Sequence, residues 1–188
     1  MSKVRSVFIL AGLLAVLLAG CGPASAVIAP VLPTATLPPT AAPTATATAT
    51  PVPVCDAAQT PEFGDYATWT LVNDHPIPGH ETQVNIYVDD LSKDIYLSAS
   101  GASFPTCARI VKTHLLSATS DEITAVTVMA KMPAGYDPAH NDWWWGMFTP
   151  DGKTALMSGK VSVCIDCHED AADADYVFSS KVMDELKK

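Results

Sequence analysis

Two cysteines three positions apart with a histidine directly behind them, Cys164-Ile165-Asp166-Cys167-His168, constrain this chain more than any other feature. The spacing lets each thiol form a thioether to one vinyl group of a haem while the adjacent histidine is swung beneath the iron as axial ligand. Other chemistries use close cysteine pairs. A zinc site needs a second pair of ligands, and the sequence holds no other closely spaced cysteine pair. A thioredoxin-like redox pair wants a helix following a βαβ pattern and no adjacent histidine, and a plain structural disulfide leaves His168 without a role. The box therefore points to one covalent haem c, held by Cys164 and Cys167, with His168 as the metal ligand.

The beginning of the chain carries export signals. Lys3 and Arg5 precede an apolar run over residues 7–18, and Leu18-Ala19-Gly20-Cys21 closes it with small residues and a cysteine. The run is shorter than the ~20 residues a spanning helix requires. Residues 1–20 read as a lipoprotein signal peptide and Cys21 as the lipidated residue, where several acyl chains give stable anchoring that one does not. An uncleaved anchor helix would leave the rest in the same compartment. Residues 22–54 contain no charged side chain and consist almost wholly of Ala, Thr and Pro. Such a stretch cannot bury a core, so it reads as an extended stalk, reaching roughly 100 Å at about 3 Å per residue.

Of the 5 cysteines, lipid takes one and haem two, which leaves Cys55 and Cys107. An even remainder in an oxidising compartment predicts a Cys55–Cys107 disulfide, with two free buried thiols as the alternative. Residues 55–188 then form one domain, of a size that supports a single core. The chain has 20 acidic against 11 basic residues, and loss of Lys3 and Arg5 with the signal makes the mature protein more acidic still. That balance excludes nucleic acid and direct adhesion to anionic lipid, and is compatible with a cationic redox partner protein.

Inside the domain the period is mostly two. Residues 82–88, 109–116 and 123–132 are rich in β-branched and alternating apolar residues, 143–148 reads as a fourth strand, and 153–161 as its hairpin partner. A short helix is expected within 89–100, and the haem box should open a C-terminal helix or turn running to Ala174, with Asp175-Tyr176-Val177-Phe178 behind it. The expected class is α+β, mainly an antiparallel β-sheet with short helices and a C-terminal CxxCH haem site. Electron-carrier cytochromes c are helical with an early box, and cytochromes c′ show a four-helix periodicity that is missing here.

The pieces Phe104-Pro105, Ile110-Val111-Lys112, Lys131-Met132-Pro133, Gly135-Tyr136-Asp137-Pro138, Asp142-Trp143-Trp144-Trp145, Pro150-Asp151-Gly152, Ser158-Gly159-Lys160, the haem box and Asp175-Tyr176-Val177-Phe178 occur in this order. Together they resemble the cytochrome P-460 family, which includes the cytochromes c′-β, over roughly residues 84–178. The resemblance implies a mainly antiparallel β fold, often a homodimer, with a five-coordinate haem c open to small nitrogen species such as nitric oxide or hydroxylamine. In the P-460 enzymes proper, a lysine at the position of Lys112 is bonded to the haem edge and a nearby carboxylate accepts protons during hydroxylamine oxidation. In the c′-β relatives apolar aromatics cap the distal face and nitric oxide binds. Lys112 and Phe104 are the corresponding cofactor-binding candidates. Residues 152–163 contain no carboxylate, which weakens the hydroxylamine reading, since a general base must lie within hydrogen-bond reach.

The residues alone allow a sixth ligand on the iron. His75, His80, His114 and His140 and several methionines are candidates, but each histidine lies near polar or turn residues and is expected in solvent, while methionines at strand spacing are expected in the core. A six-coordinate iron would favour plain electron transfer. An apolar pocket of Phe104, a Trp of the 143–145 run and Met129 would instead admit diatomic gases. Alternation puts Trp143 and Trp145 on one face and Trp144 on the other. Asp166, Glu169, Asp170, Asp173 and Asp175 read as helix-terminal, solvent-facing carboxylates.

Overall fold

Period-two patterning builds one sheet in the computed structural model, which describes residues 55–188. The signal peptide, Cys21 and the stalk expected from the sequence lie outside the described residues. Strand β1 (Thr70–Leu71) and β2 (Ile77–Gly79) both pair with β3 (Thr82–Val88), and the sheet continues through β4 (Arg109–Leu115), β5 (Ile123–Lys131), β6 (Trp143–Phe148) and β7 (Ala155–Gly159). Every pairing is antiparallel. Helix α1 (Lys93–Ser98) bridges β3 and β4, α2 (Ser162–His168) carries the haem box, a 3-10 stretch covers Glu169–Ala174, and α3 (Ser179–Glu185) follows.

The register sorts side chains into two cores. One row across the sheet runs Val88, Ile110, Met129, Trp145, and the next runs Ile86, Lys112, Thr127, Met147, Met157. These rows share a face, because side chains two apart on a strand point the same way. Ile86, Val88, Ile110, Met129, Trp143 and Trp145 pack there against Ile165 of α2 and Val177 behind it. The opposite face packs Val111, Val126, Val128, Ala130, Trp144 and Phe148 against Phe63 and Tyr66 of the N-terminal segment. The tryptophan run thus divides between two cores as alternation requires.

Three contacts fix the segments around the sheet. Asp89 at the end of β3 accepts from the Ser92 backbone N–H at 3.0 Å and hydroxyl at 2.7 Å, which turns the chain into α1, and its other oxygen accepts from Arg109 Nε at 3.0 Å. Arg109 lies over the Trp69 ring at 4.6 Å and donates to the Glu62 carbonyl. Cys55 and Cys107 are joined by a disulfide, tying the first described residue to the approach to β4.

The sequence pattern does not reveal β1, β2 or α3. The two strands are too short to show a period, and α3 exposes much of its length, with Val182 and Leu186 set against the core.

Candidate haem site

Helix α2 holds the CxxCH box so that Cys164 is half-buried, Cys167 is exposed and His168 is buried. Both thiols are free. They flank a cavity of about 480 Å³ between α2 and the sheet, within the usual size of a cofactor pocket. Its walls come from the face that carries Ile110, Lys112 and His114 of β4, Thr127 and Met129 of β5, Trp145 and Met147 of β6, and Met157 of β7.

His168 is held in one orientation. Its Nδ1 lies 2.7 Å from the Tyr176 carbonyl, and because a carbonyl only accepts, Nδ1 carries the proton and Nε2 keeps the free lone pair. Trp145 and Phe178 pack on the ring, with centroids at 4.8 and 5.2 Å. Burial, and then the Lys112 charge, push the His168 pKa down to about 4, so the imidazole is the neutral, ligating form at ordinary pH. Among the described residues no group of three or more His, Cys, Asp and Glu is placed to hold a bare metal ion. His168 is arranged to give one ligand, not a full set.

The Tyr176 carbonyl is itself positioned by a buried network. Asp175 and Tyr176 both adopt positive φ, 55° and 62°. The Asp175 carboxylate accepts from Lys131 Nζ at 2.6 and 2.8 Å, from the Phe104 N–H at 2.7 Å and from Asn141 Nδ2 at 2.9 Å, while its carbonyl accepts from Trp143 Nε1 at 2.8 Å. Asp175 is therefore a buried structural anchor and not the solvent-facing carboxylate its place in an acidic run suggested. Its partners are more than thirty residues away in sequence, so no local signal announces them.

Lys112 faces the cavity, and burial lowers its pKa to about 8, offset in part by the Cys167 thiol. Phe104 does not line the cavity. It is buried on the Trp143 ring at 5.7 Å, with its N–H on Asp175, so the expected aromatic cap from this residue is corrected to a core role. The loop 99–108 carries it behind the tryptophan row instead of over the pocket. Met129 and Trp145 do stand on the wall, as the pocket reading proposed.

Three polar residues complete the wall: Glu81, which the sequence did not single out, His80, expected in solvent and exposed at its rim, and His114, expected in solvent but buried. His80 and Glu81 form the two-residue tip between β2 and β3, with φ of 49° and 61°, and both border the cavity. Positive φ at both tip positions is the mark of a I′ hairpin, which normally selects Asn and Gly, so this sequence gives no warning of the turn. His114, in contrast, sits two residues beyond Lys112 on one strand, and alternation alone places it on the same face. Its Nε2 lies 3.1 Å from Thr127 Oγ1. Desolvation against the cavity wall, followed by the charge of Lys112, lowers the pKa of both histidines, of which His114 is buried and His80 is exposed at the hairpin tip. His75 and His140 pair instead with Asp74 and Asp137, away from the cavity.

One polar atom on the wall lacks a partner. Trp145 Nε1 is buried without a hydrogen bond among the described residues. A stranded donor of this kind costs about 1–3 kcal/mol unless something in the cavity accepts from it.

The family model for Cytochrome P460 matches residues 64–179, which include the sheet, the cavity and the haem box. The chain belongs to the cytochrome P460 family. That membership brings a haem cofactor and a cytochrome role. No curated protein matches the chain. The donor set fits the cofactor: two thiols, one neutral imidazole with a free Nε2, apolar walls and an unsatisfied indole N–H that a haem carboxylate would accept from.

Proposed function

We propose that the domain holds one covalent haem c through Cys164, Cys167 and His168 and binds nitric oxide or a related small nitrogen species in the cavity beside it. The observation that carries this reading is the cavity itself, which joins Cys164, Cys167 and the free Nε2 of His168 to walls of Ile110, Met129, Met147 and Trp145. When bound, the haem would supply an iron able to take a small ligand. The thiols would hold its edge as thioethers. His168, kept in one tautomer by Tyr176 and clamped by Trp145 and Phe178, presents Nε2 without having to reorient. The side chains of Ile110, Met129, Met147 and Trp145 give the cavity an apolar wall opposite its polar residues, and the unpartnered Trp145 Nε1–H would donate to an acceptor on the cofactor.

The second reading, hydroxylamine oxidation by a lysine-linked haem, is favoured by two wall residues. Lys112 stands at the cavity with its amine pKa near 8, and Glu81 supplies the carboxylate that residues 152–163 lack. Mass spectrometry of the haem peptide separates the two. Attachment through Cys164 and Cys167 alone, with a ferrous Soret band that shifts when nitric oxide is added, is the expected result. A third bond from Lys112 would replace the first reading by the second, and a band that ignores nitric oxide would leave an electron carrier.

Lipidation at Cys21, the stalk and an extracytoplasmic position on the membrane face complete the proposal. Their support is the Leu18-to-Cys21 box and the Cys55–Cys107 disulfide, a bond that persists in oxidising compartments.

A further inference from the structure

We infer that Asp175 is a positioning residue for the haem ligand: by holding the Tyr176 carbonyl on His168 Nδ1–H it makes His168 a stronger donor to iron, and so lowers the reduction potential of the haem. The inference rests on the haem reading above and goes beyond it, from which residue meets the iron to what sets the strength of that bond.

Two consecutive non-glycine residues occupy the left-handed region where the 3-10 stretch ends, Asp175 at φ 55° and Tyr176 at φ 62°. Aspartate tolerates this region, whereas a bulky tyrosine there is an outlier. Strain of this kind persists only where the surroundings over-determine it. Here they do. The Asp175 carboxylate takes Lys131 Nζ from the end of β5, the Phe104 N–H from the loop before β4 and Asn141 Nδ2 from the turn before β6, while its carbonyl takes Trp143 Nε1 from β6 itself. Tyr176 is tied down as well, with its N–H on the Ala171 carbonyl at 2.8 Å. The kink thus aims one carbonyl, that of Tyr176, at His168 Nδ1, 2.7 Å away. Glycine would take a left-handed turn more readily, so conformation alone does not call for a buried carboxylate. What the carboxylate adds is a set of acceptors that fastens the kink to three other segments.

The consequence falls on the imidazole. A ligating histidine that donates its second ring N–H to a firm acceptor is the more basic at its ligating nitrogen. Greater donation to iron favours the ferric state, and hydrogen bonding around the ligand is one of the levers that set the potential of a haem. The aromatic side chains packed on the His168 ring, Trp145 and Phe178, carry no acceptor that could replace the Tyr176 carbonyl. Loosening the kink therefore weakens the donor through Nδ1, although Asp175 itself does not touch the ring.

Resonance Raman spectra of the ferrous holoprotein and a redox titration test the assignment, with haem attachment followed separately by mass. Asp175→Ala should lower the iron–histidine stretching frequency and raise the reduction potential while keeping the covalent haem. Asp175→Asn should move both in the same direction by less, and it carries the test should the alanine form fail to fold. The variant with Cys55 and Cys107 both changed to serine loses stability away from the cavity and should keep both values of the wild type. Unmoved values in the Asp175 variants, or a shift of equal size in the double serine variant, would overturn the proposal. A wild type without covalent haem would overturn the haem reading and this proposal with it.

Discussion

Asp175 shows how one buried charge can set the chemistry of a residue it never touches. Its carboxylate gathers Lys131, Asn141 and the Phe104 N–H, and its backbone leads directly to the Tyr176 carbonyl that orients His168. The Asp175 side chain is only 2% exposed and that of Lys131 11%, so removing one partner strands the other where water cannot reach it. Breaking such a pair costs about 3–5 kcal/mol. Asp175→Ala is expected to lose stability of that order in urea denaturation, and Asp175→Asn, which keeps the shape and one of the two acceptor oxygens but not the charge, to lose less. Equal losses would mean that charge pairing, which both variants remove, and not shape, dominates. The identity of the haem box is readable from five consecutive residues, because its chemistry is local. The role of Asp175 is not, because it exists only once β5, the loop before β6 and the segment after α2 have met.

Among the elements, β6 depends most on a single small residue. Gly146 borders the cavity with its backbone, while a side chain there would point to the other face, between the rings of Trp144 and Phe148. A Cβ at this position would fall 2.5 Å from the Trp144 ring and 2.7 Å from the Phe148 ring. Both rings are buried, so neither can move aside without disturbing Val128 and Ala130. Gly146→Ala should therefore destabilise by about 1–3 kcal/mol, the usual range for overpacking a core, as read from the thermal midpoint. The main strands were legible because alternation persists over five or more residues, and the same alternation separates Trp143 and Trp145 from Trp144. Phe104 was misplaced because it lies in a loop, where periodicity says nothing about direction. The turn at His80 and Glu81 was not legible for a related reason: turn chemistry predicts a tip from Asn or Gly, and this tip has neither.

At the scale of the whole molecule, one covalent bridge ties the first described residue to the sheet. A charge-free stretch of sequence precedes Cys55, and the disulfide joins Cys55 to Cys107 at the entry to β4, 52 positions later. Cys107 is pinned in turn, with its N–H on the Lys131 carbonyl at 2.7 Å. A loop of this length constrains the unfolded chain by about 4 kcal/mol on the chain-entropy model. Replacing both cysteines by serine should lower the thermal midpoint by on the order of 10 °C for a domain of this size. Neither cysteine lines the haem cavity, so the Soret spectrum and the nitric oxide response should stay unchanged while stability falls. If the spectrum moved as well, the path would run through Lys131, whose carbonyl meets the bridge and whose amine meets Asp175. Comparing the double serine variant with Asp175→Asn would then show whether the tether is mechanically separate from the iron ligand or coupled to it through that one lysine.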